Sequence, residues 1–255
     1  MARLQHDSDL IAEASNLKVL LPDGVRVVFS EARHAAAQLH PTEQEFLNAR
    51  RMQPVREREF RVGRALAREA LRNLGIADFA LLPAETREPL WPDGIVGSIT
   101  HCEGVCAVAV AESKRCSGLG IDLERIERID ESIADTICTS GERRQLDAMP
   151  ASSRRQHLSL LFSAKESVFK ALFPSTRQFL EFHDVALDIG PTRHGITRGA
   201  TIYFFDPSGN RNEVFAGGYI HYPDKPTITW HDKDLGRAIF YHDRKLNESF
   251  LSVLT

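Results

Sequence analysis

Residues 118–124 place two carboxylates on one face of an extended segment. The sequence there is Gly-Leu-Gly-Ile-Asp-Leu-Glu, in which apolar residues alternate with glycine and acidic residues. Because successive side chains of a strand point to opposite faces, this alternation predicts a β-strand with Asp122 and Glu124 on the same face. The alternative interpretation is the exposed face of an edge strand.

A third carboxylate lies in a predicted apolar helix. Residues 162–170 read Phe-Ser-Ala-Lys-Glu-Ser-Val-Phe-Lys, and helical spacing stacks Phe162, Glu166 and Lys170 along one stripe. Glu166 and Lys170 also have the spacing of a surface ion pair. The leucines and phenylalanines around them favour a largely buried helix instead, and buried charges need partners.

The three carboxylates suggest a metal site that handles phosphate. Asp122, Glu124 and Glu166 would supply the oxygen ligands that Mg²⁺ prefers. The adjacent cations Lys165 and Lys170 would suit an anionic substrate that carries phosphate.

Positive charge is concentrated on a second predicted helix, residues 55–74. Its arginine stripe consists of Arg61, Arg64, Arg68 and Arg72. Arg56 lies in the first turn, where the helix dipole disfavours a cation, so a bound anion is one interpretation of this charge. The other interpretation is the solvated face of an amphipathic helix.

His101 follows Ser98 and Thr100 at the end of a predicted strand, residues 95–100. A lone histidine is usually a structural hydrogen-bonding group. Beside two hydroxyl groups at a strand end, His101 is also a candidate donor to a phosphate oxygen.

Composition narrows the class of protein. The chain has 255 residues, is 42% hydrophobic and has a net charge of −3, which gives no overall attraction to nucleic acid. We find no apolar stretch of membrane-spanning length and no signal peptide. The four cysteines lack zinc-site spacing, so we expect reduced thiols in a cytoplasmic protein. The P-loop, nucleophile-elbow and H-E-x-x-H motifs are absent.

Hydrophobic periodicity predicts helices alternating with strands in each half of the chain. The predicted elements are a hairpin of residues 17–21 and 25–30, helices 41–52, 55–74 and 154–173, and strands 95–100, 105–111, 184–189, 200–205, 214–222 and 227–230, with a turn at 206–209. The loop 83–94 is rich in proline, and the last helix is predicted to stop at Pro174. We place a lobe boundary in the polar segment 112–118, which gives lobes 1–117 and 118–255.

Taken together, five stretches of the sequence resemble the 4′-phosphopantetheinyl transferase superfamily, and within it the enterobactin synthase component D type. They are Phe60-x-x-Gly63-Arg64, Arg87-Glu88-Pro89-Leu90-Trp91-Pro92, Gly97-Ser98-Ile99-Thr100-His101, Gly120-Ile121-Asp122-Leu123-Glu124 and Lys165-Glu166-Ser167-x-x-Lys170. Each stretch alone is weak evidence, but all five occur in the family's order.

The resemblance implies an α+β pseudodimer. Each lobe would be a small, mostly antiparallel sheet packed with helices, with the active site in the cleft between the lobes. The implied activity moves the phosphopantetheine arm of coenzyme A onto a serine of an apo acyl, peptidyl or aryl carrier protein. The pathway would be siderophore, nonribosomal peptide or polyketide synthesis, and such a two-lobed chain needs no second copy, so we expect a monomer.

The resemblance also assigns roles to residues. Asp122, Glu124 and Glu166 would hold Mg²⁺ or Mn²⁺, and Glu166 would be the general base. Lys165 would contact the leaving group, and Lys170 and His101 would contact the phosphates, with Ser98 and Thr100 beside them. The candidates for the 3′-phosphate and adenine end are Arg56, Arg64 and Arg87.

Two other functions fit the same residues. One is a Mg²⁺-dependent hydrolase of coenzyme A-type pyrophosphates, in which water replaces the serine. The other is a non-catalytic coenzyme A-binding protein, although a pure binder has no need of a full set of metal ligands.

Overall fold

The computed structural model describes residues 24–31, 37–193, 200–205 and 211–216. The strands in these ranges are β1 (Arg26–Glu31), β2 (Ile95–Cys102), β3 (Val105–Glu112), β4 (Ala186–Arg193), β5 (Ala200–Phe205) and β6 (Arg211–Ala216). The helices are α1 (Pro41–Asn48), α2 (Pro54–Arg72), α3 (Ala134–Ile137), α4 (Ser140–Ala148) and α5 (Ala151–Thr176). Short 3₁₀ turns occupy Ile126–Arg128, Glu131–Ile133 and Phe182–Asp184.

The strands form two antiparallel sheets of three strands each. The first has the order β1-β3-β2 and the second the order β4-β5-β6. Helices packed with antiparallel sheets confirm the predicted α+β class. The predicted strands 17–21 and 227–230 and the turn 206–209 lie outside the described residues.

Helix α2 covers the first sheet and forms the core with it. Its buried residues Val62, Leu66 and Leu71 pack with Val108 and Val110 of the central strand β3. Full burial of such a side chain contributes about 1.5–3 kcal/mol, so this contact fixes the orientation of α2 on the sheet. The exposed edge of α2 is thereby aligned beside the end of β2.

The buried carboxylate of Glu43 ties α1 to this core. Pro41 begins α1, and Glu43 accepts a hydrogen bond from the backbone N–H of His40 in a capping box. The fully buried side chain also accepts the backbone N–H of Leu81 at 2.9 Å and pairs with Arg68. The charge of Glu43 is therefore satisfied inside the protein.

Two sequence predictions of secondary structure are wrong. Helix α5 does not stop at Pro174 but continues to Thr176, and Arg177 ends it in the left-handed conformation, with φ 56°. Pro174 cannot donate the usual backbone hydrogen bond, but it lies in the last turn, so only this one bond is lost near the end of the helix. Residues 118–124 are extended but do not form a strand, for a reason described below.

Contacts divide the chain into two compact units. We call Asp23–Ile137 with Gln145–Leu180 the larger unit, and Met1–Pro22, Cys138–Arg144 and Glu181–Thr255 the smaller unit. This grouping differs from the predicted lobes 1–117 and 118–255, since the 118–137 segment and all of α5 are grouped with the first sheet. In the smaller unit, Glu142 of α4 accepts the backbone N–H of Leu187 in β4 at 2.8 Å.

In the part of the chain that the structure describes, no helix combines the length and the apolar character needed to cross a membrane.

Candidate active site

Two hydroxyl groups of β2 hold the acidic segment in place. The backbone N–H of Ile121 donates to Ser98 Oγ at 3.1 Å, and that of Leu123 donates to Thr100 Oγ1 at 3.0 Å. Both hydroxyl residues are 3% exposed. Residues 118–124 are therefore bound to β2 through side chains rather than through a backbone ladder, which is why no strand forms there.

Glycines bring this segment against α5. A Cβ added at Gly120 would lie 1.8 Å from the backbone oxygen of Ser167, and one at Gly118 would lie 2.5 Å from that of Ala171. Only residues without a side chain fit this close approach. The glycines of the acidic motif thus place its carboxylates beside the helix that carries Glu166.

Asp122 is nearly buried, and one of its carboxylate oxygens has no partner. Its Oδ1 accepts hydrogen bonds from Lys170 Nζ at 2.6 Å and Thr100 Oγ1 at 3.1 Å. Its Oδ2 is buried and has no hydrogen-bond partner, and the side chain is only 8% exposed. A buried carboxylate oxygen without a partner is costly, so this atom is a candidate ligand for a cation.

Glu124 is held by a residue that the sequence analysis did not select. Cys102, on the same face of β2 as Ser98 and Thr100, lies with its Sγ 3.2 Å from Glu124 Oε1. Burial raises the pKa of the Cys102 thiol, and Glu124 raises it further. Cys102 therefore stays protonated and donates to the carboxylate.

Glu166 lies in the electrostatic field of the other acids. Burial raises the pKa of Glu166, Lys170 lowers it, and Asp122 and Glu124 raise it. Lys170 and Asp122 thus have opposite effects on the pKa of Glu166, as expected for charged groups in one partly buried region.

The acid set has the chemistry of a hard-cation site but does not converge on one point. Within residues 24–31, 37–193, 200–205 and 211–216, no three histidine, cysteine or acidic side chains are close enough to form a metal-binding group. The unpartnered oxygen of Asp122 and the oxygen-only donors fit Mg²⁺ or Mn²⁺. Glu124 and Glu166 would have to approach Asp122 to ligate the same ion.

A cavity of about 620 Å³ lies against α2 and the end of β2, and we call it the arginine cavity. Its basic side chains are Arg50, Arg51, Arg56, Arg64, Arg87 and His101. The sequence predicts Arg56, Arg64 and Arg87 for the nucleotide end and His101 for the pyrophosphate, but not Arg50 and Arg51, which follow the end of α1. The size and charge of the cavity suit a phosphorylated nucleoside.

Arg56, Glu59 and His101 form a closed ring of polar contacts at this cavity. Arg56 Nη1 lies 2.8 Å from His101 Nε2 and 3.2 Å from Glu59 Oε2, while His101 Nδ1 lies 3.3 Å from Glu59 Oε1. Glu59 was not predicted, because three residues from Arg56 on a helix it looks like an ordinary surface ion pair.

Arg64 is more deeply embedded than a typical ligand-binding arginine. Its Nε donates to the backbone oxygen of Leu81 at 2.6 Å, and its guanidinium lies over the ring of Phe60 at 4.5 Å. Burial lowers the pKa of Arg64 to about 10. Arg64 thus anchors the wall of the cavity, whereas Arg87 lines it from a backbone with φ 77°.

Lys165, the predicted contact of the leaving group, is buried and donates to the protein backbone. Its side chain is 2% exposed, and Nζ donates to the backbone oxygen of Ile137 at 2.8 Å. That oxygen is at the end of α3, where a cation is favourable. Lys170, one turn later on α5, is the lysine that reaches the carboxylates.

Ser98 and Thr100, which are predicted to lie beside the phosphates, contact the acidic segment. Both hydroxyl groups are engaged with the acidic segment and are shielded from solvent. They position Asp122, one by holding the backbone before it and the other by donating to its carboxylate.

Comparison with protein families gives this arrangement a context. The model described as 4′-phosphopantetheinyl transferase N-terminal domain matches residues 42–111, and that of the 4′-phosphopantetheinyl transferase superfamily matches residues 118–220. The chain is 40% identical over 175 residues to 4′-phosphopantetheinyl transferase Svp of Streptomyces mobaraensis, which covers 68% of this chain and 71% of that protein. The chain belongs to the 4′-phosphopantetheinyl transferase superfamily. It is also 41% identical over 120 residues to enterobactin synthase component D of Salmonella typhimurium, covering 46% of this chain and 48% of that relative.

The chain also resembles a protein with a different name. It is 54% identical over 106 residues to metapyrocatechase of Pseudomonas sp. (strain CF600). The match covers 42% of this chain, which spans about a third of that relative's length (33%).

Proposed function

We propose that the protein transfers the 4′-phosphopantetheine arm of coenzyme A to a serine of an apo carrier protein, releasing adenosine 3′,5′-bisphosphate. The observation that carries this proposal is the juxtaposition, in a chain of this family, of the acidic segment with Glu166 and Lys170 of α5. Cleavage of a pyrophosphate bond requires neutralisation of the charge on the phosphates and an activated nucleophile. The arginine cavity adds a second, cationic site for the nucleotide end.

Asp122, Glu124 and Glu166 would hold Mg²⁺ or Mn²⁺. The ion would supply charge neutralisation at the pyrophosphate when bound. Support comes from the unpartnered Asp122 oxygen and from the hydrogen bonds of Thr100 and Cys102, which orient two of the three carboxylates.

Glu166 would remove the proton of the carrier serine. The burial that raises the pKa of Glu166 makes its carboxylate a better proton acceptor than one in water. Lys170 Nζ, one helical turn away, would contact the developing negative charge on the phosphates. Lys165 is a weaker candidate for the leaving group because its ammonium is engaged with Ile137.

The nucleotide end of coenzyme A would lie in the arginine cavity. Arg56 and Arg87 would contact the 3′-phosphate and adenine, and His101 would donate to a phosphate oxygen. Arg64 would shape the wall through its contacts with Leu81 and Phe60.

The carrier protein would dock on three exposed apolar side chains near the acidic segment. Ile126, Ile133 and Leu160 are 43%, 40% and 44% exposed, respectively, and the turns carrying the first two pack on α5. An acidic and apolar carrier helix would match this surface. We further propose that the enzyme is monomeric and cytoplasmic and has a two-lobed pseudodimeric fold. Its role would be in siderophore, nonribosomal peptide or polyketide synthesis.

The test is mass spectrometry of a panel of apo carrier proteins incubated with coenzyme A and the protein, with and without Mg²⁺. We expect a mass gain of one phosphopantetheine arm on a carrier only when Mg²⁺ is present. Release of adenosine 3′,5′-bisphosphate without any carrier would instead indicate hydrolysis. Binding of coenzyme A with neither reaction would indicate a non-catalytic binder.

The similarity to metapyrocatechase does not change this proposal. A match to a third of that protein's length does not support assigning its reaction to this chain.

A further inference from the structure

The arginine cavity, although rich in basic side chains, also contains a carboxylate, that of Glu59. Glu59 lines the arginine cavity and is 24% exposed, yet it opposes the negative charge of any phosphate bound there. Its two oxygens are divided between two basic residues of the cavity, Oε2 with Arg56 and Oε1 with His101.

This ring fixes the protonation state of His101. A guanidinium can only donate, so His101 Nε2, at 2.8 Å from Arg56 Nη1, must accept. The ring proton is then on Nδ1 and faces Glu59 Oε1 at 3.3 Å. Burial lowers the pKa of His101, Arg56 and Lys170 lower it further, and Glu59 raises it. The neutral imidazole is thus the form that the free protein holds.

A bound phosphate reverses this balance. Arg56, which is 63% exposed, is free to turn toward an anion, and Nε2 then faces a phosphate oxygen with its lone pair. That contact is repulsive until Nε2 acquires a proton. The negative charges of the bound anion and Glu59 together then outweigh the positive charges of Arg56 and Lys170, and this favours the imidazolium form of His101. The neighbouring Cys106 remains a neutral thiol, since burial raises its pKa to about 12.

We propose that Glu59 is a positioning residue that holds neutral His101 by its Nδ1–H in the free protein and stabilises its imidazolium when a phosphate binds, so that binding takes up one proton at Nε2. The proton comes from solvent, and no covalent bond other than this N–H forms. The proposal rests on the proposed function, because that function supplies the phosphorylated nucleoside for the cavity.

The experiment is calorimetric titration of the full chain with adenosine 3′,5′-bisphosphate at pH 7.5, in two buffers of different ionisation enthalpy. The phosphate monoesters are already largely ionised at that pH, since their second pKa is about 6, so a net uptake reports on the protein. We expect proton uptake with the unmodified protein, and an affinity that falls by up to about tenfold per pH unit between pH 6.5 and 8.5.

Three variants separate positioning from simple structure. His101→Gln, which keeps a donor but does not titrate here, should bind more weakly, take up no proton and show a flat pH profile. Glu59→Gln should take up less than the unmodified protein. Glu57→Gln is the matched control, because Glu57 on the same helix pairs with Arg61 at 2.9 Å and should leave the proton count unchanged.

The outcomes are distinguishable from failure of the proposed function. Binding with no proton uptake, or with equal uptake in the unmodified protein and the His101→Gln variant, overturns this inference while leaving transfer intact. Uptake that is unchanged in Glu59→Gln overturns the role of Glu59. Absence of binding at millimolar concentration overturns the inference, and absence of carrier modification as well overturns the proposed function.

Discussion

At the scale of single residues, Glu166 is where burial and charge act against each other. Its carboxylate loses solvation by burial, is stabilised by the positive charge of Lys170 and is repelled by Asp122 and Glu124. A group under such opposing influences is a candidate for chemistry, since a structural role would have been satisfied more simply by an apolar residue.

Glu166→Gln should therefore abolish transfer without loss of the fold. An amide cannot accept the serine proton or serve as an anionic ligand, so we expect kcat to fall at least about a hundredfold. The free energy of unfolding should be unchanged or higher at neutral pH, because a desolvated charge is removed. Transfer kinetics and thermal unfolding measure both, with the exposed Glu127→Gln as control. Normal turnover in the variant would exclude Glu166 as base and as ligand.

Arg64 illustrates a cation whose role changed once its contacts were known. The sequence places it among nucleotide-binding arginines, whereas its Nε is engaged with Leu81 and its plane with Phe60. Removing a buried arginine leaves a carbonyl without its donor and a gap over the ring.

Arg64→Ala should thus cost stability as well as coenzyme A affinity. We expect the free energy of unfolding to fall by about 2–4 kcal/mol and the KM for coenzyme A to rise more than kcat falls. Chemical denaturation and steady-state kinetics provide the measurement, and Arg58→Ala, exposed on the same helix, is the control. Unchanged stability would contradict the anchoring role, and unchanged KM would contradict any contribution to the cavity.

At the scale of elements, the decisive contact is that between an irregular segment and a helix. Residues 118–124 have no backbone ladder, so their position depends on Ser98, Thr100 and the packing of Gly118 and Gly120 against α5. The two carboxylates are consequently positioned by steric fit from one side and by hydrogen bonds from the other.

Gly120→Ala tests this steric fit. The new Cβ would lie 1.8 Å from the backbone oxygen of Ser167, so the segment and α5 must separate. We expect the free energy of unfolding to fall by about 3 kcal/mol or more, together with loss of transfer. Denaturation curves measure the effect. Gly141→Ala is the matched control, because its Cβ would have no neighbour closer than 4.0 Å and alanine favours the helix by up to about 1 kcal/mol.

At the scale of the whole molecule, the described site belongs to the larger unit. The acids, Lys170, the arginine cavity and the apolar surface of Ile126, Ile133 and Leu160 all lie in Asp23–Ile137 and Gln145–Leu180. A carrier that docks on the apolar surface would therefore approach the unit that holds the reacting groups.

Ile133→Glu should weaken carrier recognition selectively. A negative charge on this surface would repel an acidic carrier helix, so we expect the KM for the carrier to rise about tenfold while that for coenzyme A is unchanged. Phe179→Glu is the control, because Phe179 is 70% exposed and its ring lies against Phe169, roughly 13 Å along the helix axis from Leu160. Equal effects of both variants would contradict the docking proposal.

Local patterns account for much of what could be predicted. Alternation and helical periodicity gave β2, β3, α2 and most of α5, because these elements depend on neighbours a few residues apart. The same patterns identified Asp122, Glu124 and Glu166 as an acid set. They misplaced the end of α5 because the helix loses one backbone donor at Pro174 and still continues for two residues. They made residues 118–124 a strand because alternation does not reveal which groups accept the backbone N–H donors.

The sequence by itself determined the elements and the chemical types at the site, since both follow from short-range periodicity and residue identity. Only the tertiary structure decided that Lys170 meets Asp122, that Ser98 and Thr100 hold the acidic segment, and that Glu59 joins Arg56 to His101. The physical reason is distance along the chain: Lys170 and Asp122 are 48 residues apart, and His101 and Arg56 are 45 apart. Such pairs form only when packing of α2 and α5 brings them together, and no local pattern specifies that packing.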